Sequence, residues 1–287
     1  MNVNGFLRLL AVCAAIFLSG CQTAAPTAAD IVAAERAFAA DGYARGVKLS
    51  FLAYSSPDAV VFAPAPVNAH ENLNAAPDQD QSPARGRLVW WPLYAGISAS
   101  GDLGFTTGPY AIGEDRRGHY FTIWKKQPGG DWKWALDAGV GADASGEAPQ
   151  GSPVAYLAPS RERSASPEAA MAEVGAIETQ IAAAARGGVQ SAYEPYLDAD
   201  SRLHSSGPPP AKDGAARAAV FAARPQYIAF AALGGGASDA GDLVWTYGEG
   251  RWRENDAERT GYYVRLWQKR GNGWRLAFDE FLPPPAN

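Results

Sequence analysis

The chain has 287 residues, with 25 Lys and Arg against 30 Asp and Glu, a net charge of −5 and 47% hydrophobic residues. That balance argues against a duplex nucleic-acid partner, which needs a basic face to neutralise phosphates, and against a polybasic hold on anionic lipid. With Cys13 and Cys21 as the two cysteines there is no disulfide framework, so stability must come from apolar cores, for which nine tryptophans are ample material.

The first eight residues carry one positive charge, Arg8, and an apolar run from Leu9 to Leu18 follows, which is the build of a signal peptide. As a helix such a run rises only ~15 Å, about half a bilayer core, so it is no anchor on its own. It ends in Leu18-Ser19-Gly20-Cys21, which reads as a lipobox: small residues lie extended in a peptidase cleft, and the thiol is the nucleophile that takes the lipid as a thioether. Residues 1–20 are then a lipoprotein signal peptide. Their removal leaves 267 residues, a net charge of −6 and Cys21 as the sole cysteine. Residues 21–29 are rich in Ala, Pro and Thr and read as a tether. The expected location is the bacterial cell envelope, lipid-anchored and facing the periplasm, with Gln22 after the cysteine favouring the outer membrane.

The remainder is a tandem repeat. Gly101-Asp102-Leu103-Gly104-Phe105-Thr106-Thr107-Gly108 recurs as Gly241-Asp242-Leu243-Val244-Trp245-Thr246-Tyr247-Gly248, the run 118–126 recurs as 261–269, and Trp132-Lys133-Trp134-Ala135-Leu136-Asp137 recurs as Trp274-Arg275-Leu276-Ala277-Phe278-Asp279. Fainter matches, Glu35 with Glu178, Tyr54 with Tyr196 and Asp58 with Asp200, share the offset. Such a period is too long for a solenoid and fits duplication of a whole domain. The expected domains are 30–139 and 168–287, joined by a Gly/Ala/Ser/Pro-rich linker over 140–167.

Each copy opens with an amphipathic helix, Ile31, Ala34 and Phe38 forming the apolar stripe of the first while Glu35, Arg36 and Asp41 lie off it, and Met171, Val174, Ile177 and Ile181 that of the second. A second helical piece carries Leu49, Phe51, Leu52 and Tyr54, or Val189, Tyr193 and Tyr196, where Pro195 predicts a shortened helix. Antiparallel strands follow over 88–98, 103–112, 118–126 and 132–138, rich in aromatic and β-branched residues and separated by Gly-containing turns. Helices first and a meander afterwards give an α+β class, two copies of a domain with helices packed on a curved antiparallel sheet.

The helix with Ala34-Glu35-Arg36-Ala37-Phe38, the strand over 101–108, the strand ending Ile123-Trp124-Lys125-Lys126 and the closing strand over 131–137 resemble the SnoaL-like branch of the nuclear-transport-factor-2-like superfamily, in particular its bacterial domains of unknown function. The resemblance implies a cone-shaped domain with a pocket between sheet and helices. It also implies a membership that spans polyketide cyclases, ketosteroid isomerases, dehydratases and binding modules, among which fold cannot choose.

On the third strand of each copy Tyr120, Thr122 and Trp124, and Tyr263, Arg265 and Trp267, share one face, which either lines a pocket or faces solvent. Asp137 and Asp279 end the last strands; each is a candidate general base if buried in an apolar cone, or else a turn residue. His70, His119 and His204 stand at no metal-ligand spacing, so no metal site is expected. His204 with Asp279 could form a dyad, although the first copy has Phe62 at the position of His204. No phosphate loop, dinucleotide fingerprint or nucleophile elbow is present, and no cofactor is expected. The leading function is non-catalytic binding of a small apolar ligand or a protein partner; the alternative is a cyclase, isomerase or dehydratase using a pocket aspartate. Aromatic residues on both faces of the late strands, Phe121, Trp124, Trp132 and Trp134 with Val264, Trp267, Trp274 and Phe278, predict sheet-to-sheet pairing of the two domains within a monomer.

Replacement of the lipid acceptor tests the first of these readings: Cys21→Ser is expected to abolish labelling by an acyl-chain probe, and a mutant labelled as strongly as the parent overturns the lipobox.

Overall fold

The computed structural model describes residues 26–77 and 86–284. Residues 1–20, expected to be a signal peptide, and Cys21 lie outside the described residues. Among the described residues no helix is long and apolar enough to cross a membrane.

Helix α1 (Ala29–Arg45) buries Ile31, Val32 and Phe38, and also Glu35. It stops at Gly46, whose φ of 92° turns the chain into α2 (Val47–Tyr54). Gly42 lets the sheet come close: a Cβ there would lie 2.6 Å from the Trp90 ring. Strands β1 (Ser55–Phe62) and β2 (Pro66–Asn68) follow, then α3 (Ala69–Ala75), capped by the Asn68 side chain, which accepts from the Glu71 N–H. His70 sits on this helix. The strand expected over 88–98 is two, β3 (Leu88–Trp90) and β4 (Tyr94–Ile97), because Pro92 between them has no N–H to give a ladder. The meander is β5 (Leu103–Ile112), β6 (Asp115–Lys126) and β7 (Trp132–Gly141).

The segment after β7 is docked on the protein. Its short strand β8 (Ala155–Tyr156) pairs with β4, and Leu157 is buried. The second half repeats the plan: α4 (Pro167–Ala184), capped by Ser166; α5 (Val189–Tyr193), cut short into a 3-10 turn at Glu194–Tyr196 where Pro195 falls; β9 (Arg202–His204); α6 (Gly214–Ala222), an Ala-rich helix that buries Val220 and Phe221; then β10 (Ala229–Ala237), β11 (Leu243–Glu254), β12 (Ala257–Arg270) and β13 (Gly273–Leu282). Gly234, in β10, marks a register shift against β11, the bulge a Gly-rich strand permits.

The sheet orders are β2-β1-β7-β6-β5-β4-β8, with β3 also on β5, and β10-β11-β12-β13-β9. The fold is α+β, with helices on one face of each curled sheet. The ladders are antiparallel except where β1 joins β7, β9 joins β13 and β8 joins β4 in parallel, edge pairings that the meander pattern does not disclose.

Three apolar clusters follow from strand alternation. Those of the first and second halves lie between sheet and helices, around Phe38, Trp124 and Trp134 and around Tyr193, Trp267 and Trp274. The third lies between the two sheets, where Phe105, Phe121, Ile123 and Leu136 meet Leu243, Val264, Leu266 and Phe278. Of the aromatic and apolar residues on the two faces of the late strands, Trp124, Trp132, Trp134, Trp267 and Trp274 face the helices, and Phe121, Val264 and Phe278 make the sheet-to-sheet contact. The rings of Phe121 and Phe278 stack across it, 3.8 Å apart.

A local twofold symmetry relates the halves. The Asp102 carboxylate accepts from the Asp239 N–H at 3.0 Å, and the Asp242 carboxylate accepts from the Ala99 N–H at 2.9 Å. Gly101 and Gly241, at φ 71° and 66°, shape the same turn in both loops.

Truncation of Phe278 to Ala, which empties the centre of the inter-sheet layer, is expected to destabilise the chain by about 3–5 kcal/mol in denaturant melts; a loss below about 1 kcal/mol would show that this layer contributes little.

Candidate functional site

The polar side chains that matter stand on the helical face of each sheet, and the same positions recur. In the first half the Glu35 carboxylate, wholly buried, accepts from Trp90 Nε1 at 2.6 Å, from Trp124 Nε1 at 3.0 Å and from the Thr106 hydroxyl. In the second, Glu178 accepts from Thr246 at 2.7 Å and Trp267 Nε1 at 3.1 Å. Helix α1 or α4 delivers the glutamate, β5 or β11 the threonine, β6 or β12 the tryptophan. These glutamates are the residues that helical periodicity misassigns, since Glu35 falls beside the apolar stripe; its recurrence as Glu178 was the available signal.

Two residues before each tryptophan the halves part. Thr122 is paired in register with Asp137 and donates to its Oδ2 at 2.7 Å. Arg265, at the same place opposite Asp279, contacts Asp279 at 3.2 Å through Nε and Glu178 through Nη1, and Nη2 lies 2.5 Å from the Tyr193 hydroxyl. Arg224 closes the group with a 2.5 Å ion pair to Asp279. Arg265, Asp279 and Glu178 are all buried. Burial works against the Arg265 charge, yet Glu178, with lesser help from Tyr193, Tyr263 and Asp279, holds its pKa well above the usual arginine range. The interior of the second half is thus filled by an ion network.

Among the described residues the first half has no cation there. Phe51, Leu88, Trp90, Tyr110, Tyr120, Asp137, Ala138 and Gly139 line a cavity of about 200 Å3. Burial pushes the Asp137 carboxyl up to about 8, against the Thr122 hydrogen bond that lowers it, and the nearby Glu35 adds to the rise. Glu35 is itself raised by burial despite its donors. The Tyr120 hydroxyl is buried without a hydrogen-bond partner, and burial drives its pKa well above the ordinary tyrosine value; the neighbouring Thr106 hydroxyl is given to Glu35. A cavity wall with an acid poised near neutrality and an unused hydroxyl can hold an oxygen-bearing apolar molecule and can exchange a proton with it.

The candidate residues therefore divide. Tyr120 and Asp137 line the cavity, and Thr122 orients Asp137. Trp124 and Trp267 hold the glutamates, while Tyr263, Arg265 and Asp279 belong to the closed network; Tyr263 lies 3.4 Å from Glu178. His204 is not brought to Asp279. The ladder sets His204 opposite Glu280, whose side chain points to the other face of the sheet, and Nδ1 stands 3.1 Å from Glu280 Oε2. Burial, then the charge of His119, lowers the His204 pKa well below its ordinary value, and burial raises that of Glu280. His204 lies in the inter-sheet layer, its ring 5.2 Å from that of His119; at the symmetry-related place Phe62 stands 5.9 Å from Tyr262. Among the described residues no group of His, Cys, Asp or Glu is arranged to hold a metal ion.

No family model matches the sequence, and no curated protein matches it. Solved structures that resemble part of the chain include an NTF-2 like protein of unknown function from Shewanella oneidensis, 15% identical over 39% of this chain and 97% of that one with a TM-score of 0.33. A ketosteroid isomerase-like protein from Erwinia carotovora is 16% identical over 40% of this chain and 96% of that one, TM-score 0.34. A putative dehydratase of the NTF2-like family from Streptomyces avermitilis is 16% identical over 42% and 99%, TM-score 0.33.

Because the Thr122 hydroxyl stabilises the ionised form of Asp137, Thr122→Val is expected to move the Asp137 titration upward from about 8. The carboxyl carbon resonance read by NMR across pH 5 to 10 checks this, and a titration near the ordinary aspartate value in the parent chain would remove Asp137 from consideration. The sign for stability follows: the folded state keeps a proton that the unfolded chain loses, so stability falls as pH rises from about 4 to about 8, and Asp137→Asn flattens that part of the profile.

Proposed function

We propose that the first half binds a small, largely apolar molecule carrying an oxygen acceptor, and that the second half is a closed copy serving as its structural partner. One observation carries the reading. At a single register position the first half has Thr122 and leaves a carboxyl-bearing cavity open, while the second has Arg265 and fills the equivalent space with an ion network. In the same proposal the chain is monomeric, its lipid on Cys21 holds the module at the periplasmic face of the envelope with the outer membrane favoured, and the ligand reaches the cavity from the periplasm.

A second reading, proton transfer at a carbon next to a carbonyl, is favoured by the Asp137 carboxyl, which would serve as base once ionised above about 8. Tyr120, whose hydroxyl has no partner, would then support the developing oxyanion. This is the isomerase or dehydratase class of chemistry.

The test of binding uses cyclohexanone and phenol as probes, read by quenching of tryptophan fluorescence, since Trp90 lines the cavity. The parent chain is expected to bind, and Thr122→Arg, which introduces the cation of the second half, is expected to weaken binding by about tenfold or more as the side chain fills the space; equal binding by both chains overturns the assignment of the site. For the second reading, deuterium exchange at the carbons flanking the cyclohexanone carbonyl should accelerate as pH rises through about 8 and vanish in Asp137→Asn. A flat pH profile with intact binding leaves the protein a binding module.

A further inference from the structure

The second half carries a larger feature outside its filled interior. The β11–β12 hairpin turns through Asn255 and Asp256, both with positive φ (49° and 62°), the geometry of a tight two-residue hairpin turn. Both of its strands are two residues longer than their counterparts β5 and β6. The extension forms one wall of a cleft of about 1000 Å3, whose other walls are the loop after α6 and the chain leaving β13.

The chemistry of that cleft is one-sided. Among the described residues five arginines line it, Arg186, Arg224, Arg251, Arg253 and Arg259, with Glu254 as the one carboxylate on its wall, in a chain whose net charge is −5. Apolar surface is supplied by Ile228 and by Trp252 and Phe281, whose rings lie 5.7 Å apart. The Arg224 side chain lies behind the cleft wall without solvent exposure: Nε donates to the Ser205 hydroxyl at 2.7 Å and Nη2 to the His204 carbonyl at 2.7 Å, besides the ion pair with Asp279. Its Nη1 is buried with no acceptor, an orphan donor on a fixed guanidinium. The rim arginines are less committed. Arg251 pairs with Glu249 at 2.8 Å, Arg259 with Glu254 at 3.4 Å and Arg253 with the fully exposed Asp256 at 3.8 Å. Solvent-exposed pairs of this kind contribute little and exchange readily for a better anion.

We propose that this cleft binds an organic anion, a carboxylate or phosphate carried on an apolar body. The anionic group would meet the rim guanidiniums of Arg186, Arg251 and Arg259, which match a planar or tetrahedral oxyanion with paired N–H donors, while the body lies against Ile228, Trp252 and Phe281. In the first half the hairpin is shorter and Arg116, at the place of Arg259, is taken up by the Ala144 and Glu147 carbonyls, so the two halves take different ligands: a neutral molecule in one, an anion in the other. The site is independent of the cavity at Asp137.

The experiment is calorimetric titration of the full chain in detergent with phenyl phosphate, inorganic phosphate and phenol, at low and at physiological salt, phenol being titrated into Thr122→Arg, whose first-half cavity is filled. Phenyl phosphate is expected to bind with a Kd below about 1 mM and to weaken as salt rises, with inorganic phosphate and phenol each at least about fivefold weaker because each offers half of the contact. Since Arg224 also anchors Asp279, the rim carries the test: the double variant Arg186→Gln with Arg259→Gln should weaken phenyl phosphate about tenfold, whereas Arg161→Gln, an exposed charge elsewhere, should not. Thr122→Arg should leave it unchanged, which separates this site from the cavity of the first half. Competition by phosphatidylglycerol vesicles assigns the anion to a lipid headgroup, and its absence to a soluble molecule. No phenyl phosphate binding, or binding that the double variant leaves intact, overturns the proposal.

Discussion

A carboxylate buried in the middle of each apolar core is the constraint around which the rest is arranged. Taking an ionised carboxylate out of water is costly unless donors or a counter-charge replace the water, and otherwise the group keeps its proton. The first half answers with neutral donors, two indole N–H groups and a hydroxyl, and lets the glutamate pKa rise. The second answers with the Arg265 guanidinium. Once that choice is made the neighbouring aspartate follows it. Without a cation nearby Asp137 resists ionisation, and room is left beside it; with one, Asp279 becomes the second partner of the arginine and the space closes.

Strand alternation then distributes everything else. On β6 and β12 the residues that face the helices carry the polar chemistry, and those between them, Phe121 and Ile123, Val264 and Leu266, form the layer that joins the sheets. On β13 neighbouring acids are sent opposite ways, Asp279 into the ion network and Glu280 into the inter-sheet layer beside His204. Proton chemistry and sheet packing thus occupy opposite faces of the same strands, so that a change on one face need not disturb the other.

Much of this was legible in the chain. The repeat, the α+β class and the common face of Tyr120, Thr122 and Trp124 follow from spacing alone, because the period of two in a strand admits no other grouping. Glu35 was not legible, since a glutamate beside an apolar stripe reads as a solvent-facing residue and its burial depends on donors from three distant strands, 55 to 89 residues away. Whether the face of Trp124 and Trp267 lines the interior or meets solvent was left open by the pattern; the indole N–H needs an acceptor, and the glutamates on the helical side provide one for both. Arg224 belongs to a loop, and Arg251, Arg253 and Arg259 stand on the ends of β11 and β12 beyond the core, where no apolar alternation marks a face.

The reciprocal loops at Asp102 and Asp242 have a genetic corollary. Two identical subunits meeting about such an axis are encoded once, so a substitution appears on both sides of the contact and must suit both. Covalent duplication removes that coupling. It allows an imidazole pair, His119 with His204, to stand at one end of the axis while a phenyl and a phenol, Phe62 with Tyr262, keep the other, and it allows Thr122 to persist in one copy while arginine is fixed at its counterpart. Pseudosymmetry of this kind retains the geometry of an assembly while giving each copy its own mutational history.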